Sequence, residues 1–270
     1  MIVRIEDRIT SLQNAKVKKS VLLQKHKERL SEHLFVAEGI KEIEKAIKMN
    51  HAIDTLFFCP EIVPLSEVES LLSGHAVKHV FEVTAQVYEK MAYRENSGGI
   101  IVWATPKTHR LEDLHLRANP LVLVIEGVEK PGNIGALYRT ADAAGIDAVI
   151  ICDPKSDFYN PNTIRASLGC IFTVPTALTT GKEAIGFLKT RGIQILSTNL
   201  NAAVPYHSVD FTMPSAIVMG TEATGISQLW IDAADRNIII PMKGAADSMN
   251  VSVSAAVVVF EACRQRKFER

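Results

Sequence analysis

The spacing of apolar residues along this chain changes character a little past residue 100. Before that point short apolar runs alternate with segments of helical period. Leu34-Phe-Val-Ala reads as a strand, after which Ile40, Ile43, Ala46 and Ile47 recur on one helical face up to Asn50. Thr55-Leu-Phe-Phe, stopped by Pro60, is a second strand. Ser66 is placed to cap a helix that carries Val68, Leu71 and Leu72 and is closed by Gly74. Val77 to Val83 predicts a third strand, Thr84 a cap for a short helix, and Gly99-Ile-Ile-Val-Trp a fourth strand. The pattern predicts a small α/β unit over residues 1–105.

Between 106 and 118 the chain turns polar, with Lys107, His109, Arg110, Glu112, Asp113, His115 and Arg117, and reads as a linker. From 119 to 270 the apolar runs become continuous. Leu121-Val-Leu-Val-Ile, Val149-Ile-Ile, Ile193-Gln-Ile-Leu, Ala216-Ile-Val-Met and Ile238-Ile-Ile are runs of the kind found in parallel strands buried on both faces. Helical segments separate them, so an open parallel sheet is expected. The last helix, from Val251 to about Arg266, is apolar or small nearly all round, which predicts burial against both the sheet and a second subunit.

Composition narrows the class. A chain of 270 residues has room for two domains, and 47% hydrophobic with 22% charged residues is ordinary for a globular protein. No apolar stretch approaches the roughly 20 residues of a membrane span. The opening Met1-Ile-Val-Arg-Ile-Glu-Asp-Arg lacks the apolar core of a secretory leader, so a cytoplasmic location is expected. Cys59, Cys152, Cys170 and Cys263 are scattered without a Cys-x-x-Cys pair, which speaks against zinc and against a disulfide framework, and no metal is expected. Net charge is zero, which by itself counts against a nucleic-acid partner. The first 30 residues are locally basic, however: Arg4, Arg8, Lys16, Lys18, Lys19, Lys25, Lys27 and Arg29 stand against Glu6, Asp7 and Glu28. Such a patch serves equally as phosphate contacts or as a solvated helix face.

Three segments of the second half bear residue types suited to chemistry. Glu126-Gly-Val-Glu-Lys-Pro-Gly-Asn-Ile-Gly-Ala-Leu-Tyr-Arg leaves a buried strand, turns, and enters a helix with Asn133 near its start. Ile134, Leu137, Tyr138 and Ala141 share the core face, and Arg139 lies off it. Met219-Gly-Thr-Glu-Ala-Thr-Gly225 follows another buried strand and puts Glu222 where open α/β sheets bind ligands. Ile240-Pro-Met-Lys-Gly-Ala-Ala-Asp-Ser-Met-Asn-Val-Ser leads from a strand to the last helix, with Ser248 or Asn250 as its cap. Taken singly, each also fits a plain reading: a glycine-rich turn with a solvated arginine, a loop, and a helix cap.

Taken together and in this order, they resemble the SpoU/TrmH branch of the SPOUT methyltransferases. The likeness rests on Asn133 with Arg139 six residues on, Gly-x-Glu-x-x-Gly at 220–225, and Ile-Pro-Met followed by Ser-x-Asn-Val-Ser. Arg165-Ala-Ser-Leu-Gly resembles the family's segment between the first two motifs. Ile9-Thr-Ser-Leu-Gln-Asn-Ala-Lys-Val-Lys and Phe35-Val-Ala-Glu-Gly-Ile resemble the substrate-binding domain that many members carry. Met249 departs from the leucine usual in the family, a volume-conserving change.

The resemblance implies a C-terminal domain with a parallel sheet and a trefoil knot, preceded by a smaller L30e-like α/β domain that binds substrate RNA. It implies S-adenosyl-L-methionine as cofactor, held by Gly220, Ile240 and Met249 with Thr198 and Met242 from neighbouring loops. The Gly-x-Gly-x-x-Gly nucleotide fingerprint is absent, as a cofactor bound outside a Rossmann crevice requires. The implied reaction is methyl transfer to a ribose 2′-hydroxyl, with Arg139 at its centre and Asn133, Glu222, Ser248 and Asn250 orienting it. A guanidinium is essentially always protonated, so Arg139 is expected to stabilise developing alkoxide charge and clamp a phosphate. RNA contacts are expected from Lys16, Lys18, Lys19 and Arg94, the last in the loop Tyr93–Gly99, and a homodimer is expected. Ribosomal RNA is favoured over tRNA by the N-terminal domain, and a thiopeptide-resistance role stays open. The competing readings are a guanine-N1 methylase of the same superfamily and an RNA-binding module without cofactor.

Overall fold

A computed structural model describes residues 4–94, 98–200, 203–221 and 224–269, which form two compact units. The first unit holds residues up to Thr108 together with Asp157–Thr173; the second holds His109–Ser156 and Val174 onward.

In the first unit β1 (Asp7–Ile9), α1 (Ala15–Leu22), α2 (His26–Glu32), β2 (Phe35–Glu38), α3 (Ile40–Lys48), β3 (Ile53–Phe58), α4 (Leu65–Leu71), β4 (Val77–Val83), α5 (Ala85–Met91) and β5 (Ile100–Ala104) follow one another. The strands form a mixed sheet of order β1-β4-β3-β5-β2. Alternation along the strands sends Val36, Phe57, Phe81, Ile101 and Trp103 to the face covered by α1 and α5, where Val17, Val87 and Met91 meet them. The Trp103 Nε1–H donates to Ser20 Oγ at 2.9 Å, so this aromatic is buried without an orphaned donor. Thr84 caps α5 as expected, accepting from the Val87 N–H at 3.4 Å. Ser66 does not cap α4: the helix starts at Leu65, two residues earlier than such a cap requires, behind Pro64, whose extended ψ of 150° places it at the cap position.

The second unit opens with β6 (Leu121–Glu126), α6 (Pro131–Ala144) and β7 (Ala148–Cys152). The chain then returns to the first unit for α7 (Pro161–Ala166) and α8 (Cys170–Thr173). There Tyr159 stacks on Phe35 with ring centroids 4.4 Å apart, and the Arg29 guanidinium reaches Asp157 at 2.6 Å with both groups largely buried. Gly169 approaches the backbone of α3 so closely that a Cβ would lie 2.9 Å from Glu42 Cα, and its φ is +76°. The Arg165-Ala-Ser-Leu-Gly segment therefore packs with residues far earlier in the chain, with the Arg165 guanidinium bonded to Asn162 Oδ1 at 2.7 Å. A single boundary through a linker at 106–118 does not describe this excursion. Nor is that stretch a free linker, since Leu111 and Leu114 are buried in the second unit's core.

Back in the second unit come β8 (Thr176–Thr179), α9 (Gly181–Thr190), β9 (Gln194–Thr198), β10 (Val204–Pro205), β11 (Ser215–Met219), α10 (Gln228–Ala233), β12 (Arg236–Ile239) and α11 (Val251–Gln265). All seven strands are parallel, in the order β10-β12-β9-β11-β6-β7-β8. Val122, Val124, Ile150, Ala216 and Val218 face α9 and α10, where Leu188 and Trp230 pack. α6 and α11 pack on each other over the opposite face. α11 buries Val251, Ala255, Val258, Val259 and Ala262 but leaves Val253 and Phe260 about half exposed, so its apolar surface exceeds what this unit covers. The four cysteines are buried and free. Burial, with help from Glu61, pushes the Cys59 thiol up to about 11, and burial also raises Cys152 and Cys263. These thiols are poor nucleophiles. Among the described residues no helix is long and apolar enough to cross a membrane, and no cluster of His, Cys, Asp or Glu has the makings of a metal site.

Candidate active site

β11 and β12 both pair with β9, so the carboxyl ends of these strands lie side by side. Their exits enclose a cavity of about 410 Å³. Thr198 lines it from the end of β9, Gly220 and Thr221 from the exit of β11, and Ile240 and Met242 from the exit of β12. Ser248 and Met249 line it from the loop before α11, and Ser254 and Val258 from that helix. The five residues that the sequence nominates for the cofactor, Thr198, Gly220, Ile240, Met242 and Met249, thus meet in one cavity although they span some fifty positions of sequence. Its size and its apolar walls broken by a few polar groups are those of a small-molecule site.

Local backbone demands shape the walls. A Cβ on Gly220 would lie 2.3 Å from the Gly225 carbonyl carbon, so glycine alone fits there. Thr221 and Gly225 exchange backbone hydrogen bonds of 2.9 and 3.0 Å, which folds the segment back on itself. The Thr198 hydroxyl donates to the Val218 carbonyl at 2.8 Å, tying the ends of β9 and β11 together.

Asn250 is the cap of α11. Its Oδ1 accepts from the Ser252 N–H at 3.0 Å and from the Ser252 hydroxyl at 2.6 Å. That commitment turns its Nδ2 outward, where it donates to Asn133 Oδ1 at 3.2 Å. Asn133 is the third residue of α6, so the first and third motifs are joined by a side-chain bond. Ser248 is exposed in the loop, beside Asp247. Arg139 stands six residues further along α6 than Asn133, about 9 Å along the axis. It is exposed and has no ion-pair partner among the described residues. It does not line the cavity, and neither do Asn133 and Asn250. Glu222 lies outside the described residues.

One contact was not foreseen. The Glu126 carboxylate at the end of β6 accepts from both the N–H (2.7 Å) and the hydroxyl (2.6 Å) of Ser227, the residue after the cavity-lining Ile226. The partners are 101 positions apart, so no local pattern announces the pair.

The residues nominated for RNA lie on the first unit. Lys18 is exposed with no ion pair among the described residues. Lys16 sits 4.7 Å from the Phe81 ring centroid, and Lys19 sits over Trp103 and pairs with Glu32 at 2.5 Å. Arg94 is exposed, 3.9 Å from Glu38; residues 95–97 of its loop lie outside those described. Arg29, part of the same basic run, is a buried structural residue that donates to the Leu23 and Gln24 carbonyls as well as to Asp157.

Comparison with known proteins matches residues 120–260 to the model of the SpoU rRNA methylase family and residues 14–102 to an MRM3-like substrate binding domain. The 23S rRNA (guanosine(2553)-2′-O)-methyltransferase RlmP of Bacillus subtilis is 30% identical over 258 residues, covering 93% of this chain and 97% of that protein. The tRNA (guanosine(18)-2′-O)-methyltransferase of Escherichia coli is 41% identical over 157 residues, covering 58% of this chain and 68% of that protein. The crystal structure of the AdoMet-bound rRNA methyltransferase from Sinorhizobium meliloti superposes with a TM-score of 0.87 at 29% identity, covering 95% of this chain and 97% of that one. By its motifs, its architecture and these matches, the chain belongs to the SpoU rRNA methylase family.

Proposed function

We propose that this protein transfers a methyl group from S-adenosyl-L-methionine to a ribose 2′-hydroxyl of ribosomal RNA. The single observation that carries the reading is the convergence of Thr198, Gly220, Ile240, Met242, Ser248 and Met249 on one cavity at the strand ends of a SpoU-family sheet. The cavity fits the cofactor: Ile238, Ile240 and Met219 form apolar walls, while the strand exits and Ser248 offer polar groups. When bound there, S-adenosylmethionine supplies an electrophilic methyl group. The chain's part is then to place the hydroxyl in line and to stabilise the charge it develops. Arg139, unspent on any described partner, is the residue for that charge and for the adjoining phosphate. Asn133 and Asn250, joined by their side chains, help to orient it, and Ser248 and Glu222 complete the set.

Ribosomal RNA is chosen because the rRNA-directed relative matches this chain over both units, whereas the tRNA-directed one matches little more than half of it. Two further features belong to the same proposal. Val253 and Phe260, left exposed on α11, form part of a two-fold interface between copies of the chain. The second unit is also knotted, a reading supported by the late strand β11 being inserted between β6 and β9 rather than added at an edge. Mechanical extension of a single molecule to the full contour length of its 270 residues would rule the knot out. The cofactor and the RNA are tested together by following transfer of labelled methyl from S-adenosylmethionine to rRNA and tRNA prepared from cells lacking this protein. Incorporation into rRNA is expected; label in tRNA alone reassigns the substrate, and no label in either rejects the reading.

A further inference from the structure

Ser227 occupies the cap position of α10, yet its hydroxyl makes no capping bond to that helix. A serine at a helix start ordinarily accepts from the N–H two or three residues on. Here the hydroxyl donates to Glu126 Oε1 at 2.6 Å and the Ser227 backbone N–H donates to Glu126 Oε2 at 2.7 Å. Both carboxylate oxygens are thereby spent on one residue, and α10 forgoes its own cap. The carboxylate is well anchored, because Glu126 is the last paired residue of β6, opposite Cys152 of β7. What the clamp holds is the exit of the cavity wall: Thr224, Gly225 and Ile226 line the cavity and run directly into Ser227. Gly220 is crowded against Gly225 and Ile226, and Thr221 and Gly225 exchange backbone bonds, so the two arms of this turn are held to each other. The Glu126–Ser227 clamp is what ties the joined arms to the end of β6.

We infer that Glu126 is a positioning residue for the cofactor: its carboxylate, through Ser227, holds the Thr224–Ile226 wall in the shape that binds S-adenosylmethionine. The inference rests on the reading of the cavity as the cofactor site. Charge-assisted hydrogen bonds of this length are among the stronger polar contacts, so losing the pair is expected to weaken binding about tenfold. The test is calorimetric titration of the full-length protein with S-adenosylmethionine for wild type, Glu126→Ala, Glu126→Gln, Ser227→Ala and the double alanine variant. A Ser254→Phe variant, which fills the cavity from α11, is the control. Glu126→Ala should raise Kd about tenfold, Glu126→Gln less because one acceptor remains, and the double variant no further than Glu126→Ala alone. A purely structural glutamate would lower Tm and leave Kd where it was. Wild-type Kd in Glu126→Ala, with binding abolished in Ser254→Phe, overturns the inference while the cavity assignment stands. Binding that survives in Ser254→Phe overturns both.

Discussion

The strand-end cavity of the second unit and the basic helices of the first unit hold their nominated residues in different ways. Around the cavity the backbone sets the geometry: strand exits fixed by parallel pairing, a glycine that no other residue can replace, and an asparagine whose oxygen is locked into a helix cap. On α1 and α2 the side chains are held by other side chains or reach solvent. Lys19 is drawn to Glu32 and Trp103, Lys16 rests on Phe81, Arg29 is buried on Asp157, and Lys18 reaches solvent. A run of positive residues in sequence is therefore not a positive surface of the same size. A motif that constrains backbone survives folding as a site, whereas a motif of charge is partly consumed by the fold.

Two arginines give the largest test of this contrast. Arg29→Ala leaves the largely buried Asp157 carboxylate with the Tyr159 N–H but without its counter-charge, and should cost the first unit about 3 kcal/mol, read as a lower denaturation midpoint. Arg139→Ala removes an exposed side chain with no ion-pair partner among the described residues and should leave stability within about 0.5 kcal/mol. Methylation should nonetheless fall by about a hundred- to a thousandfold, with the Kd for S-adenosylmethionine unchanged. Full turnover in Arg139→Ala would remove it from the mechanism.

The next effect concerns the exposed face of α11. Placing aspartate at both Val253 and Phe260 should convert a dimer to a monomer in light scattering, since two charges on an apolar interface are costly to desolvate. A wild-type protein that is a stable, active monomer contradicts the interface. A smaller change is expected on the first unit. Lys16, Lys18 and Lys19 all changed to alanine should weaken RNA binding and flatten its salt dependence, by about 0.7–0.9 in slope for each lysine that meets a phosphate. Because Lys19 is already paired with Glu32, the Lys18→Ala single variant should account for a large share of the loss. An unchanged slope places the RNA elsewhere.

The smallest effect lies at α9, away from both regions. Hydrogen bonds from Thr179 and Thr180 hold the Glu183 carboxyl down to about 2, within a capping box. A lowered carboxyl contributes stability above its unfolded value near 4.5 and loses it as pH falls towards 2. Glu183→Gln should lower stability slightly near neutral pH, where the wild type has the whole contribution, and the difference from wild type should vanish as pH falls towards 2. An acid limb identical to wild type would show that the bonds do not persist in solution.

Much of this was legible in the order of residues. The continuous apolar runs gave β6, β7, β9, β11 and β12 because parallel strands covered on both faces admit few polar residues. Short polar strands escaped for the complementary reason: β1 and β8 are made of Asp7-Arg-Ile and Thr176-Ala-Leu-Thr, and only pairing with β4 and β7 makes them strands. The return of residues 157–173 to the first unit was hidden too, since Arg29 with Asp157 and Phe35 with Tyr159 are contacts over more than a hundred positions. At the site, glycine and cap residues pointed to the cavity, because backbone constraints leave a mark on residue choice. The Glu126–Ser227 clamp left none, being two common residues made significant by distance alone.

The most direct measurement of the central claim is the chemistry of the methylated product. Ribosomal RNA labelled by the purified protein with S-adenosylmethionine is digested to nucleosides and the position of the methyl group read by mass spectrometry. A single 2′-O-methylated nucleoside is predicted, with the adjacent phosphodiester resistant to alkali before digestion and the product absent with Arg139→Ala. A methyl group on a base, such as guanine N1, or an alkali-labile linkage at the labelled position, would contradict the account.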